Sequence, residues 1–396
     1  MITVVGIGAD GWDGLAEPGR RALRDARVIL GAERQLALLP ADLSADRRPW
    51  PSPMADVVDQ VAAGALGDVT VLASGNPMLH GIGATLARKA GADQVQVIQH
   101  PSSFALACAR MGWAEHEAEL VSVVARPPET VGAALQRGRR VVALVTGTDG
   151  AAGVARVLMA HGCGDSPLTV LEHLGGPDER RTDLAARDAA DHVADPLHVV
   201  AFTVTGGPGH PRTPGLPDDA YINDGQLTKR HVRALTVVAL GPLPGEHLWD
   251  VGAGAGSIAI EWLRAEPTVT ATAIESVVGR AEHINANALA LGVPQLTVVT
   301  GGAPAAFDGL PVPDVIFIGG GITGDGLLEA AWEALRPGGR VVANTVTLEG
   351  EHVVMRARER WGGTLTRIGL AHAEPVGGFT GWRPAMPVTQ WVVTKP

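Results

Sequence analysis

Short apolar runs alternate with helix-period segments along most of the chain. In the N-terminal half the runs ITVVGIG, VTVLAS, VQVI and VVALVTG precede EPGRRALRDA, GIGATLARKAG, SFALACARMGW and AAGVARVLMAHG, and HVVAFTVTG closes the series. Brief apolar runs each followed by a helical segment predict α/β layering with a mostly parallel sheet. In the C-terminal half HLWDV, TVTATAIES, QLTVVT, PDVIFIGGG and RVVANTV each lead into a helical segment. Two last β-like runs, TLTRIGL and VTQWVVTK, are joined by AHAEPVGGFTGWRPAMP, which has no convincing helix. Between the halves lies Gly206–Pro217, GGPGHPRTPGLP, with eight of twelve positions glycine or proline. Such a stretch sustains neither a helix nor a central strand. The expected division is therefore a domain over 1–205, a linker over 206–217 and a second domain over 218–396.

Composition narrows the classes. A chain of 396 residues, 46% apolar, is long enough for several domains with buried cores. Its 51 glycines and 28 prolines point to many tight loops on an ordered scaffold. A formal charge of -10 without a basic block lacks the electrostatic footprint of nucleic-acid binding, so an anionic ligand needs local counter-charges. Cys108 and Cys163 form no C-x-x-C pair, and both are expected as small core residues in a reducing cytosol. MITVVGIGADGWDGL lacks a basic n-region, and no apolar run of about 18 residues occurs. A cytoplasmic, membrane-free protein is the expectation.

The strongest local signal is LWDVGAGAGSIAIEW, Leu248–Trp262. A strand ends at Asp250 and Val251, a turn follows with Gly252, Ala253, Gly254, Ala255 and Gly256, and a helix begins near Ser257. Glycines let the backbone turn sharply and approach a ligand closely, with helix amides directed at it. The dinucleotide fingerprint G-x-G-x-x-G needs glycine at 257, where this chain has Ser257. The spacing favours S-adenosylmethionine. Glu275 ends the next strand, where a carboxylate accepts ribose hydroxyls, and Asp250 orients the loop or contacts the ligand. Ala303 follows the third strand, where an adenine ring passes. Gly319, Gly320 and Gly321 after the fourth strand stand where amine methyltransferases carry an Asn/Asp-Pro-Pro-Tyr-like cluster, which argues for a bulkier acceptor than an amine.

In the N-terminal half Gly6-Ile-Gly8-Ala-Asp-Gly11 matches G-x-G-x-x-G, but no acidic strand end follows at the right distance. Ser74-Gly75-Asn76-Pro77 and Pro101-Ser102-Ser103 also sit at strand ends, where open α/β sheets bind ligands. The thirteen histidines form no metal-binding pairing, so no metal is expected. No G-x-S-x-G elbow or Walker lysine occurs. Lys229, Arg230, His231 and Arg233 cluster just past the linker.

VGIGADG, LASGNPMLHGIG, HPSSFALACARMGW, LVTGTDG and VLEHLGGPDER resemble, in order, the tetrapyrrole (corrin/porphyrin) methylase family. RTPGLPDDAYINDGQLTKRHVRAL, LWDVGAGAGSIAIEW, AIES, GGAP and VPDVIFIGGG resemble the C15-methylating, decarboxylating enzymes of cobalamin biosynthesis. Over nearly its whole length the chain is similar to the fused precorrin-6B C5,15-methyltransferase (decarboxylating) family. The resemblance implies a bilobed tetrapyrrole methylase of two α/β subdomains, then a class I Rossmann-like methyltransferase with an antiparallel last strand. It further implies one S-adenosylmethionine site in each domain. In the C-terminal domain the cofactor is held by Gly252–Gly256, Glu275, Ala303 and Thr228. In the N-terminal one it is held by Ser74, Gly75, Asn76, Leu79, Ser102 and Ser103, with Gly6 and Gly8 lining the floor near the acceptor. Where many relatives have Gly-Asp-Pro, this chain has Gly75-Asn76-Pro77. The implied chemistry is methylation at C5 and C15 with loss of CO2 from the C12 acetate, the pyrrole–imine system serving as electron sink. Lys229 and Arg230 are expected to pair with substrate carboxylates, and relatives suggest a homo-oligomer, possibly a tetramer. The competing readings are an NAD-dependent oxidoreductase using GIGADG, a methyltransferase on RNA or protein, and a non-catalytic tetrapyrrole carrier.

Overall fold

The computed structural model describes Met1–Pro396 and divides into two compact units, Met1–Pro208 and Gly209–Pro396. In the first unit β1 (Ile2–Ile7), β2 (Val28–Gly31), β3 (Asp46–Pro49), β4 (Val69–Ser74) and β5 (Val95–Ile98) form a sheet ordered β3-β2-β4-β1-β5. All of its pairs are parallel. β1 lies between β4 and β5, and its Val4 and Val5 are fully buried, as a strand covered on both faces requires. A second sheet holds β6 (Ala118–Ser122), β7 (Arg140–Leu144), β8 (Pro167–Glu172), β9 (Arg180–Ala185) and β10 (His198–Thr203), ordered β6-β7-β10-β8-β9. Here only β6 and β7 pair in parallel, and the other three pairs are antiparallel. That departs from the mostly parallel arrangement the alternation suggests. The connection 173–179 between β8 and β9 is too short for a crossover helix, so the chain returns antiparallel.

The second unit holds β11 (His247–Val251), β12 (Thr270–Glu275), β13 (Thr297–Thr300), β14 (Val315–Ile318), β15 (Arg340–Thr345), β16 (Thr364–Ile368), β17 (Ala371–Val376), β18 (Phe379–Pro384) and β19 (Val388–Thr394). Its main sheet is ordered β13-β12-β11-β14-β15-β19-β16. The first five strands in that order run parallel, and β19 lies antiparallel between β15 and β16. This is the class I methyltransferase arrangement with its reversed last strand. The stretch without a helix forms the separate ribbon β17–β18. Trp262 and Trp391, both fully buried, anchor the two faces of the main sheet.

The glycine/proline segment is shared between the units. A side chain at Gly207 would meet the His161 carbonyl, whereas Leu216 is buried in the core of the second unit. The boundary falls between Pro208 and Gly209.

Candidate functional site

In the second unit β11 delivers Asp250 and Val251 to the sheet's carboxyl edge, and the helix Ser257–Ala265 starts five positions after Gly252. Gly252, Gly254 and Gly256 have φ of 71°, 59° and 73°, a region costly for other residues. A Cβ at Gly252 would sit 2.9 Å from backbone atoms of Gly320, and one at Gly256 would press on Ile284 at 2.7 Å. The first turn therefore packs backbone to backbone on the glycine triplet after β14. Glu275, buried, accepts from the Gly254 amide at 2.8 Å and the Val277 amide at 3.0 Å. The Ser276 hydroxyl also lies 3.5 Å from the oxygen that takes the Val277 amide, so the oxygen facing Gly254 is the one that keeps a lone pair for a further donor. Asp250 is buried, accepts from the Ala259 amide at 3.1 Å through one oxygen, and has no partner for the other. Burial pushes its pKa up to about 7, against the Ala259 hydrogen bond and with a smaller push from Glu275.

The turn Gly252–Ala255, with Glu275, Ala303 and Thr228, lines a cavity of about 560 Å³, whereas Asp250 and Gly256 lie outside its lining. A second cavity of about 940 Å³ carries Lys229, Arg230, His231, Thr347 and His372. The two cavities share Leu227, Thr228, Gly319, Gly320, Gly321 and Val346. The common wall at 319–321 carries no side chains, so along it only backbone separates the two spaces. Arg230 spends part of its fork on the Gly215 carbonyl at 2.8 Å, so Lys229 is the freer cation of the pair.

The irregular segment 215–228 is clamped by a buried ion pair. Arg233 and Glu261 have side chains 0% and 2% exposed and meet at 2.6 Å. Glu261 also accepts from the amides of Gly215 and Leu216 and from the Tyr221 hydroxyl. Arg233 donates to Asp218, to the Thr228 carbonyl and to the Leu216 carbonyl. Burial in this network, with Glu261 beside it, raises the Tyr221 pKa well above its ordinary value. The clamp fixes residues 215–228, and it sets Gln226 against Gly254, whose Cβ would meet the Gln226 carbonyl at 3.0 Å.

In the first unit the predicted residues converge on the carboxyl edge of the first sheet. Gly6 lies against the Gly75 carbonyl and the His100 amide, and Gly75 lies against Pro101 and Ser102. Gly8 has no room for a side chain, because a Cβ there would sit 2.5 Å from both Asp10 Oδ1 and His100 Cε1. His100 Nε2 lies 3.1 Å from Asp10 Oδ2. Ser102 caps the helix Ser103–Met111 by accepting from the Ala105 amide at 3.0 Å. Asn76 closes a local turn on the Met78 amide at 2.9 Å, and Leu79 donates its amide to the Asn76 carbonyl.

Sequence reasoning missed Gln226, Arg280, Phe317 and Val346 in the smaller cavity and Asn344, Thr347 and His372 in the larger. The GQLTKR motif points toward Gln226. No local pattern marks His372, which reaches the cavity on the β17–β18 ribbon.

Residues 1–190 match the family model described as Tetrapyrrole (Corrin/Porphyrin) Methylases, and residues 219–395 match the Precorrin methyltransferase domain. The chain is similar to a Precorrin-6Y C(5,15)-methyltransferase [decarboxylating] of Mycobacterium tuberculosis, 48% identical over 396 residues and covering 100% of both chains. A protein of the same description from a Sinorhizobium species is 47% identical, covering 100% of this chain and 96% of that one. Among solved structures, the C-terminal domain of the precorrin-6Y C5,15-methyltransferase from Rhodobacter capsulatus is 44% identical, with 47% of this chain and 100% of that one covered at a TM-score of 0.45.

Proposed function

This chain belongs to the precorrin-6Y C(5,15)-methyltransferase (decarboxylating) family, and from that premise we propose that it methylates precorrin-6B at C5 and C15 and removes CO2 from the C12 acetate in cobalamin biosynthesis. Methyltransferases of this family use S-adenosylmethionine. In our reading the chain has one such site per unit, with C5 methylation in the first unit and C15 methylation with decarboxylation in the second. The observation that carries it is the full-length likeness, together with the tandem order of the two family models. The alternatives on RNA, protein or nicotinamide chemistry are not favoured. We also assign the chain to the cytoplasm and to a homo-oligomer; none of its helices is long and apolar enough to cross a membrane.

The donor fits the smaller cavity of the second unit: a turn in which a Cβ at Gly252 would strike Gly320, and a buried carboxylate at Glu275 beside it. When bound, the donor supplies a methyl group already activated on a sulfonium. Glu275 accepts ribose hydroxyls, and Ala303 leaves room for the adenine. Gly319–Gly321, common to both cavities, lets the acceptor carbon approach to about 3–3.5 Å, the near-attack distance that supplies much of a methyl transfer's rate. Lys229 and, with its remaining donors, Arg230 hold substrate carboxylates. Loss of CO2 leaves an electron pair that the conjugated pyrrole–imine system takes up. In the first unit Ser74, Gly75, Asn76, Leu79, Ser102 and Ser103 hold the second donor, with Gly6 and Gly8 at the floor.

Mass spectrometry of the product from precorrin-6B and S-adenosylmethionine tests the reading. Two methyl additions and one CO2 loss are expected. A product with one methyl, or with its carboxylates all retained, refutes it.

A further inference from the structure

At the carboxyl edge of the first sheet the chain after β2 turns back toward the end of β4. The Ala32 amide donates to Gln35 Oε1 at 2.8 Å, which fixes the orientation of the buried Gln35 amide. Gln35 Nε2 is thereby committed as a donor, and it reaches Ser74 Oγ at 2.9 Å. Arg34 Nη2 donates to the same oxygen at 3.2 Å. A hydroxyl has two acceptor lone pairs and one donor hydrogen. Both acceptor sites of Ser74 are filled, so its O–H remains to be given to something else.

Arg34 is in the complementary state. Its guanidinium has five N–H donors, one of which goes to Ser74, and it makes no ion pair with any carboxylate of the chain. Partial burial pulls its pKa below the ordinary value, and no neighbouring anion offsets that effect. Arg34 is nonetheless solvent-exposed, held in place by a neutral hydroxyl and without a counter-ion, which leaves its guanidinium open to an anion supplied from outside. Arg34 reaches Ser74 from the β2 side, while the adjacent Gly75 packs on Pro101 and Ser102. In the order β2-β4-β1-β5, Arg34 follows β2, whereas Pro101 and Ser102 follow β5.

We infer that Arg34 and the Ser74 hydroxyl form a carboxylate-binding subsite in the first unit, and that its occupant is a peripheral carboxylate of the tetrapyrrole. The inference rests on the reading of the first unit as the C5 methyltransferase. It supplies the counter-charge that a polycarboxylate needs on a chain of net charge -10, in the unit where the sequence reading assigned no cation to the substrate. The guanidinium fork takes the carboxylate in two parallel hydrogen bonds, and the hydroxyl donates a third. Arg34 is thus a specificity-determining residue, selecting a macrocycle whose side-chain acid falls at this corner of the sheet.

The test uses the full-length protein, precorrin-6B and methyl-labelled S-adenosylmethionine, with the C5 and C15 methyl groups followed separately by NMR. Arg34→Gln is expected to raise the KM for the tetrapyrrole in C5 methylation about 10- to 100-fold, the worth of a charge-assisted hydrogen bond. C15 methylation and S-adenosylhomocysteine affinity stay unchanged, which also reports an intact fold. Arg34→Lys recovers part of the loss, since it keeps the charge without the fork. An unchanged C5 KM in Arg34→Gln overturns the inference. So does weakened S-adenosylhomocysteine binding with the tetrapyrrole KM intact, because the subsite then serves the cofactor's carboxylate. Failure of the underlying reading looks different: the unaltered protein transfers no methyl to C5.

Discussion

Replacing Arg233 with methionine isolates what the buried clamp contributes. Arg233 is fully buried, and its removal strips Glu261 of the cation that ion-pairs with it. Glu261 retains the Gly215 and Leu216 amides and the Tyr221 hydroxyl as donors, so its charge is hydrogen-bonded but has lost its paired cation, with only the more distant field of Arg264 left. The carbonyls of Leu216 and Thr228 each lose a donor as well. Breaking a buried pair on one side costs about 3–5 kcal/mol, and because Arg233 and Glu261 are both shielded from solvent, no screening reduces it. The loss should concentrate in residues 215–228, the segment that leans Gln226 on Gly254 and supplies Thr228 to both cavities. Calorimetric unfolding measures the stability change, and hydrogen exchange of the Gly215 and Leu216 amides locates it. S-Adenosylhomocysteine binding to the second unit should weaken about tenfold, equivalent to about 1.4 kcal/mol. A stability change below about 1 kcal/mol would refute the energetic argument. Lost protection over 215–228 with undiminished affinity would refute the link from clamp to cavity.

Gly254→Asp places a charged side chain at φ 59° against the Gln226 carbonyl, and calorimetric titration should show S-adenosylhomocysteine stoichiometry falling from two per chain to one. Asp250 has a folded-state pKa of about 7 against an ordinary 3.8, so the folded protein holds more protons than the unfolded one across that window. Its contribution is fully present below about pH 4 and is lost as pH rises through about 7. Asp250→Asn removes that decline, so the difference in unfolding free energy between variant and parent should grow in the variant's favour from pH 4 to 7; a pH-independent difference would show that Asp250 is ionised throughout.

Much of the site was legible because its physics is local. A glycine turn between β11 and a helix, and a carboxylate closing β12, follow from spacing alone, and the structure joins them through the Gly254–Glu275 hydrogen bond. The antiparallel second sheet was not legible, since apolar runs in its strands look alike whichever way the chain returns. Gly6 and Gly8 illustrate the intermediate case. Their motif imitates a dinucleotide turn, while the actual demand for glycine at position 8 comes from the packed Asp10 and His100 side chains.

By itself the sequence determined the layering, the break near residues 206–217 and the residue types at the strand ends, because hydrophobic period and glycine stereochemistry act over a few residues. Only the tertiary structure decided that the break is split between the two units, that Gly319–Gly321 walls two cavities at once, and that Arg34 stands beside Ser74 with no anion of its own. Each of those depends on which strands become neighbours and on which buried charges find partners, and both are settled by packing between segments far apart in the chain.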